Sequence, residues 1–196
     1  MEKQPSRATV NALCVFLVLG IGSGCQSRAW PLEDEKYTHF TPKADTPLRI
    51  EFDFPATWRL GKGAWIGGEY FISLSDKDPT PGEVDPMEEP PSFLIFARRV
   101  DPTSYSLDEV IDRFKSDPTR TVVGDRRLEV SGYPARWITY KLSPASDRLE
   151  PLIDEQFYIL VGDFVYNLSF RIPEDERNGS FGQGFDHVIE TLQVVK

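Results

Sequence analysis

Glu155-Gln156-Phe157-Tyr158-Ile159-Leu160-Val161-Gly162-Asp163-Phe164-Val165-Tyr166-Asn167-Leu168-Ser169-Phe170-Arg171-Ile172 is the stretch on which the fold turns. Two strand-like runs flank Gly162-Asp163, a turn dipeptide short enough to make a tight hairpin. In the second run Phe164, Tyr166, Leu168, Phe170 and Ile172 share one face, and Val165, Asn167, Ser169 and Arg171 share the other. A repeat of two is the signature of a strand rather than a helix. Hairpins join antiparallel neighbours, so the sheet built around this pair is expected to be mostly antiparallel.

The flanking sequence repeats the pattern. Leu48-Arg49-Ile50-Glu51-Phe52-Asp53-Phe54 alternates apolar and charged residues at every position, which predicts a strand with one buried face ended by Pro55. Ala64–Ile66 and Glu69–Ser75 form a strand pair turned by Gly67-Gly68. Phe93–Ala97 is apolar on both faces, as in a central strand covered on two sides. Further strands are expected at Arg127–Val130 and Ala135–Leu142, separated by Gly132-Tyr133-Pro134. Ser106-Leu107-Asp108-Glu109 has the form of a capping box, and Leu107, Val110, Ile111 and Phe114 follow it along one helical stripe that Pro118 stops. A last helix is expected over Phe181–Leu192, although Gly182 and Gly184 each disfavour helix by about 1 kcal/mol. The class is α+β: a mostly antiparallel sheet with helices on both faces, an α/β/α sandwich.

The order of these elements resembles the Mog1/PsbP/DcrB-like fold over about residues 48–196. The matching features are Phe54-Pro55-Ala56-Thr57-Trp58 after the first strand, the helix opened by Ser106-Leu107-Asp108-Glu109, and the strand entry Gly132-Tyr133-Pro134-Ala135. The strand Tyr166-Asn167-Leu168-Ser169-Phe170 and the helix ending in Ile189-Glu190-Thr191-Leu192 complete them. The resemblance implies a non-enzymatic role: family members bind protein partners such as a small GTPase or a photosystem assembly, and several bacterial members are envelope lipoproteins. The acidic stretch 76–91 departs from the pattern, and no metal or partner residue of the family maps onto this chain.

The amino-terminal segment locates the protein. Lys3 and Arg7 precede the apolar run Leu13–Ile21, and Gly22-Ser23-Gly24-Cys25 follows it. Nine residues at helical rise reach about 14 Å, under half of a hydrocarbon core of about 30 Å. This is the layout of a secretory leader with small residues at the cleavage site. A cysteine just beyond makes it a lipoprotein signal, with Cys25 taking the lipid. Gly22 stands where such signals usually carry Leu, so an ordinary secretory leader is the alternative. Cys14 is discarded with the leader, which leaves Cys25 as the sole thiol and no intramolecular disulfide. The organisation read from the chain is a signal peptide over 1–24, a tether over 25–47 and a folded domain over 48–196. Pro31, Pro42 and Pro47 lie in the tether, and His39 and Phe40 within it are candidates to pack back on the domain. The full chain carries −9, and the leader holds two cations against Glu2, so residues 25–196 carry −10. An acidic domain is not drawn to nucleic acid or to anionic lipid, so the lipid on Cys25 must hold it at the membrane. Gln26 follows the cysteine where Asp would retain a lipoprotein at the inner membrane. In a Gram-negative cell this predicts the outer membrane, facing the periplasm.

Candidate chemistry is sparse. His39 and His187 are the only histidines, too few for a histidine zinc site without distant carboxylates. No Gly-x-Ser-x-Gly elbow marks a hydrolase. Asp76, Asp78, Glu83, Asp85, Glu88 and Glu89 offer oxygen ligands, but Gly82 and Met87 fall at the wrong places for an EF-hand, and the prolines favour a solvated loop. Glu51 and Asp53 share the outer face of a strand, as expected of solvent-exposed carboxylates rather than a glycosidase pair. Arg98-Arg99 and Arg126-Arg127 suit internal salt bridges, or a small basic spot for a carboxylate or phosphate. No metal and no cofactor is expected. Trp65, between Gly63 and Gly67, is expected to be exposed and to anchor an interface together with Asp76, Asp78, Glu83 and Asp85. Three functions follow: a lipid-anchored protein that binds a protein partner, a carrier or sensor of a small ligand in a cleft between sheet and helix, and a hydrolase with an unrecognised site.

In cells fed a clickable palmitate, the wild-type chain is expected to become labelled and Cys25→Ser is not. Equal labelling of the two contradicts lipidation at Cys25.

Overall fold

The computed structural model describes residues 36–75, 92–142 and 151–195. The chain divides into two units, Met1–Glu33 and Asp34–Lys196, and the fold below is that of the second. The hairpin of β9 (Leu152–Val161) and β10 (Phe164–Pro173) lies inside the main sheet, as its two-faced pattern requires. β10 pairs on its other side with β6 (Ser92–Arg99), and β6 pairs with β5 (Glu69–Ser75). Beyond β5 lie the short strands β3 (Arg59–Leu60) and β4 (Ala64–Ile66). β8 (Tyr133–Leu142) and β7 (Arg120–Val130) extend the sheet past β9. The order is β3-β5-β6-β10-β9-β8-β7, and every neighbouring pair is antiparallel. Two of the hairpins turn on left-handed dipeptides: Gly67-Gly68, with φ of 59° and 87°, and Ser131-Gly132, with φ of 52° and 84°. Both central residues of such a turn need positive φ, and its twist matches that of the strands it joins.

β7 is seven residues longer at its start than the period of two predicts. The register shifts between Val122 and Gly124, so a bulge breaks the alternation there. As the last strand of the sheet it also leaves most of its residues exposed, which removes the apolar signal.

Ile50–Pro55 is a strand (β2) with Ile50, Phe52 and Phe54 buried, as its alternation predicts. It belongs to a second, three-stranded sheet. Tyr37–Phe40 (β1) pairs along one side and Gln193–Val194 (β11) along the other. β1 falls within the segment read as tether. Phe40 does pack back: its ring stacks on Phe52 at 4.9 Å and is buried.

α1 (Leu107–Lys115) starts after Ser106, whose backbone is extended, but the Ser106 side chain makes no capping hydrogen bond, so the capping box does not form. Asp108, in the first turn, is instead drawn to Arg136 and Arg127 of the sheet. A 3₁₀ turn at Glu174–Glu176 leads to α2 (Ser180–Thr191). The glycines of α2 sit where the helix makes its closest approaches. A Cβ on Gly182 would lie 1.9 Å from the Arg177 carbonyl oxygen, and one on Gly184 would lie 2.7 Å from Trp58 Cζ2 and 2.9 Å from Pro55 Cγ. Close packing outweighs helix propensity at both positions.

Two apolar clusters result. Phe181, Phe185, Val188 and Ile189 of α2 join β2 and the main sheet through Phe93, Trp137, Phe157, Phe170 and their neighbours. A smaller cluster gathers Ile111 of α1 with Ile138, Tyr140, Tyr158 and Val165. The class is α+β, a mostly antiparallel sheet with two α-helices among the described residues. Among the described residues no helix is long and apolar enough to cross a membrane.

Gly184→Ala is expected to lose about 1–2 kcal/mol in denaturant unfolding, because overpacking against Trp58 and Pro55 exceeds the helix propensity gained. A gain of about 1 kcal/mol would contradict this contact.

Candidate functional site

Two surfaces carry unused chemistry. The first is the rim formed by β3, β4 and β5. Trp65 is 59% exposed, Ile66 63% and Leu60 43%. Gly67-Gly68 makes the tight turn that ends β4, and Trp65 pairs across it with Tyr70. The Tyr70 ring is buried and meets Trp65 edge-on at 5.6 Å, which orients the indole while leaving most of it in water. Gly63 is required for this arrangement, since a Cβ there would lie 1.8 Å from the Tyr70 hydroxyl. Trp65 and Ile66 are successive residues of β4 and so point to opposite faces of the strand, which leaves a large exposed apolar side chain on each face of this rim. Trp65 is therefore exposed, as its flanking glycines predict. Asp76, Asp78, Glu83 and Asp85, grouped with it from the sequence, lie outside the described residues, as does Cys25.

The second surface is a groove of about 450 Å³ between α1 and the sheet. One flank of α1 is tied to the sheet by charges. Asp125 accepts from Arg136 Nε at 2.5 Å, from Arg136 Nη2 at 2.8 Å and from Lys115 Nζ at 2.8 Å. Arg136 Nη1 donates to Asp108 at 2.6 Å, and Arg127 Nη2 to the same carboxylate at 3.1 Å. Both ends of α1 are thus tied to β7 and β8. The Arg136 guanidinium, above all by hydrogen bonding, holds the Asp125 carboxyl far below the usual carboxylate range. The opposite flank of α1 presents Val110, Arg113 and Phe114 to the groove. Phe96, Tyr158, Val165 and Asn167 come to it from β6, β9 and β10. Burial pushes the Tyr105 hydroxyl up from its ordinary pKa.

The arginine doublets divide by partner. Arg99 pairs with Asp163 at 2.7 Å, Arg127 with Asp108, and Arg98 with Glu69 at 3.5 Å, while the Arg126 guanidinium lies 3.9 Å from the Trp137 ring centre. They serve internal contacts, as expected. A cleft between sheet and helix was expected without residues to line it; the polar members of this groove are Glu69, Arg98, Tyr105, Arg113, Asp117, Arg120 and Asn167. One signal was available. Asn167, Ser169 and Arg171 interrupt one face of a strand whose neighbours cover both of its edges.

The histidines do not converge. His39 Nδ1 lies 2.6 Å from Asp53 Oδ1, and its Nε2 lies 3.5 Å from Glu51 Oε2, so the two carboxylates grip opposite sides of one ring. His187, on α2, packs against the Tyr37 ring with centroids 3.8 Å apart. Among the described residues no group of three or more His, Cys, Asp or Glu side chains is arranged to hold a metal ion.

No protein-family model matches this sequence, and no curated protein matches it. Solved structures do. The solution structure of the cyanobacterial PsbP protein (CyanoP) from Synechocystis sp. PCC 6803 is 13% identical. That match covers 87% of this chain and 99% of the other, with a TM-score of 0.54. LpqN of Mycobacterium tuberculosis, described as involved in cell envelope biogenesis, is 14% identical. It covers 83% of this chain and 94% of the other, with a TM-score of 0.53. The chain has the Mog1/PsbP-like fold, as the order of its motifs suggests.

The clamp on His39 has a pH signature. Its hydrogen bond to Asp53 raises its pKa, against a smaller lowering by desolvation. A raised value means that the folded state favours the protonated ring. The stabilisation of β1 is therefore complete below about pH 6.5 and fades as pH climbs through the raised value. Amide exchange at Tyr37–Phe40, corrected for its intrinsic pH dependence, is expected to lose protection over that window, and His39→Gln is expected to flatten the profile. Protection that rises with pH contradicts the clamp.

Proposed function

We propose that this chain is a lipid-anchored, non-enzymatic protein of the cell envelope that docks a protein partner on the rim of β3, β4 and β5. The observation that carries the reading is the exposure of Trp65 on this rim. Tryptophan is enriched among the few residues that dominate interface energies, and here its orientation is set in advance by Tyr70. The leader ending at Cys25 supports attachment to a membrane by lipid, with the outer membrane facing the periplasm as the site in a Gram-negative cell. LpqN, which shares the fold, is described as involved in cell envelope biogenesis, and this agrees with an envelope role. We also read the two helices as lying on opposite faces of the main sheet. Adjacent β9 residues support this, because Phe157 joins the cluster of α2 and Tyr158 that of α1.

A second reading, a carrier or sensor of a small ligand, draws on a separate observation, the groove beside α1. The hydrolase reading draws no such support: His187 lies against an aromatic ring and His39 between two carboxylates.

A photocrosslinker placed at Ile66 in intact cells is expected to yield a discrete adduct with one envelope protein. Trp65→Ala is expected to abolish it, weakening binding by about thirtyfold or more. The same substitution should leave unfolding stability within about 0.5 kcal/mol, as for other surface positions. An undiminished adduct in Trp65→Ala contradicts docking at this rim.

A further inference from the structure

β7 ends the main sheet, and among the described residues its outer edge has no strand beside it. Asp125 to Glu129 are all exposed, and Leu128 is 39% accessible. Asp125 is exposed although its side chain is only 22% accessible, so its main chain faces water. The turn at Ser131-Gly132 fixes which main-chain groups are open. A two-residue turn with positive φ closes on Val130 and Tyr133, which exchange both of their backbone hydrogen bonds. Alternation back along β7 turns Leu128 and Arg126 toward β8. It leaves the N–H and C=O of Asp125, Arg127 and Glu129 pointing outward. Open edges of this kind template pairing with another strand, and proteins blunt them with bulges and charge. The bulge of β7 lies at Val122–Gly124, outside this segment. Arg127 and Glu129, of opposite charge, lie on one face, with Leu128 between them on the other. Glu129 forms no ion pair or hydrogen bond through its side chain with any described residue. Arg127 donates to Asp108 at 3.1 Å, and its side chain is otherwise in water.

We propose that this edge is self-complementary, and that a second copy of the chain pairs with it antiparallel about a two-fold axis at Leu128. Such an axis stands perpendicular to the sheet and keeps facing residues on the same face. Arg127 of each copy then lies opposite Glu129 of the other. Both residues have outward main-chain groups, so each of these pairs exchanges two backbone hydrogen bonds as well as opposite charges. Leu128 meets Leu128 at a site without backbone bonds, where side chains approach most closely. Arg126 falls opposite Val130, and Asp125 opposite Ser131. Any other centre between Asp125 and Glu129 sets a charged residue against itself, so the charges select both the partner and the register. The contact is small beside the roughly 1,600 Å² of a standard interface, so the pair is reversible and forms where the chain is concentrated. It is independent of docking at Trp65, which lies at the opposite edge of the sheet.

The test is disulfide trapping of the full-length chain in intact cells, with copper phenanthroline as the oxidant. Facing Cα atoms at a site without backbone bonds lie about 4.5 Å apart, within disulfide reach. Leu128→Cys is expected to give a covalent dimer at least about fivefold above wild type, whose only thiols are Cys14 and Cys25. Val123→Cys, at another exposed position, is expected to stay at the wild-type level, because the proposed register holds the two copies of residue 123 about 30 Å apart. Adding Glu129→Arg to Leu128→Cys sets Arg against Arg twice and should cut trapping at least about fivefold. Adding Arg127→Glu as well should restore it. Glu129 has no partner within the monomer, so Glu129→Arg should leave thermal unfolding unchanged, which separates lost pairing from lost folding. Equal trapping of Leu128→Cys and Val123→Cys overturns the proposal. So does trapping that persists with Glu129→Arg, or that fails to return when both charges are exchanged.

Discussion

Phe185 reaches from α2 into the middle of the main sheet, where its ring lies parallel to Phe170 at 4.5 Å and edge-on to Phe93 and Trp137 at 5.3 and 5.9 Å. One side chain thus ties the last helix to β10, β6 and β8. Full burial of a phenylalanine stabilises by about 1.5–3 kcal/mol, and each aromatic pair adds about 0.5–1.5 kcal/mol. Much else is arranged around this contact. Gly184 lets the helix approach Trp58 and Pro55, and Phe181 meets Trp58 at 4.4 Å. Arg177, just before the helix, donates to Glu155 at 2.9 and 3.0 Å and to Asp186 at 2.6 and 3.2 Å, so the charges beneath α2 are paired. Once α2 is seated, its end delivers Gln193 and Val194 to β2 and completes the small sheet.

The two helices are held by different physics, and the difference leaves room for function. α2 is fixed by interlocking rings. α1 contributes one fully buried residue, Ile111, packs Leu107, Val110 and Phe114 against the smaller cluster, and is tied to β7 and β8 by the charges of Asp108, Lys115, Asp125 and Arg136. Ion pairs along one flank set the helix in place without filling the space beside the other flank. A paired charge network is also directional, and removing one member leaves its partners uncompensated. The groove beside α1 lies along that other flank.

The parts of this structure that were legible in the sequence are those written in local chemistry. Gly67-Gly68 and Gly162-Asp163 announce hairpins because tight turns need particular residues. The alternation of Phe164–Ile172 announces a strand, and the glycines around Trp65 announce an exposed ring. What could not be read depends on partners far apart in the chain. Tyr37-Thr38-His39-Phe40 carries little strand signal and becomes one only by pairing with residues 52–55. β11 meets β2 across roughly 140 residues, and no periodicity records that meeting. The bulge at Val122–Gly124 concealed most of β7. The groove was hidden for the same reason, because its lining comes from α1 and from β5, β6, β9 and β10, which meet only in the folded chain. The capping box at Ser106 was a misleading local signal, since the Ser106 side chain makes no capping hydrogen bond.

If Phe185 is the contact around which both sheets assemble, Phe185→Ala should be costly and its cost should be shared. Denaturant unfolding followed both by tryptophan fluorescence and by amide protection in β1 and β2 is the direct measurement. The account predicts a loss of about 3–5 kcal/mol, with the two probes still unfolding together. A loss under about 1 kcal/mol, or a small sheet that melts separately while the main sheet keeps its stability, would contradict it.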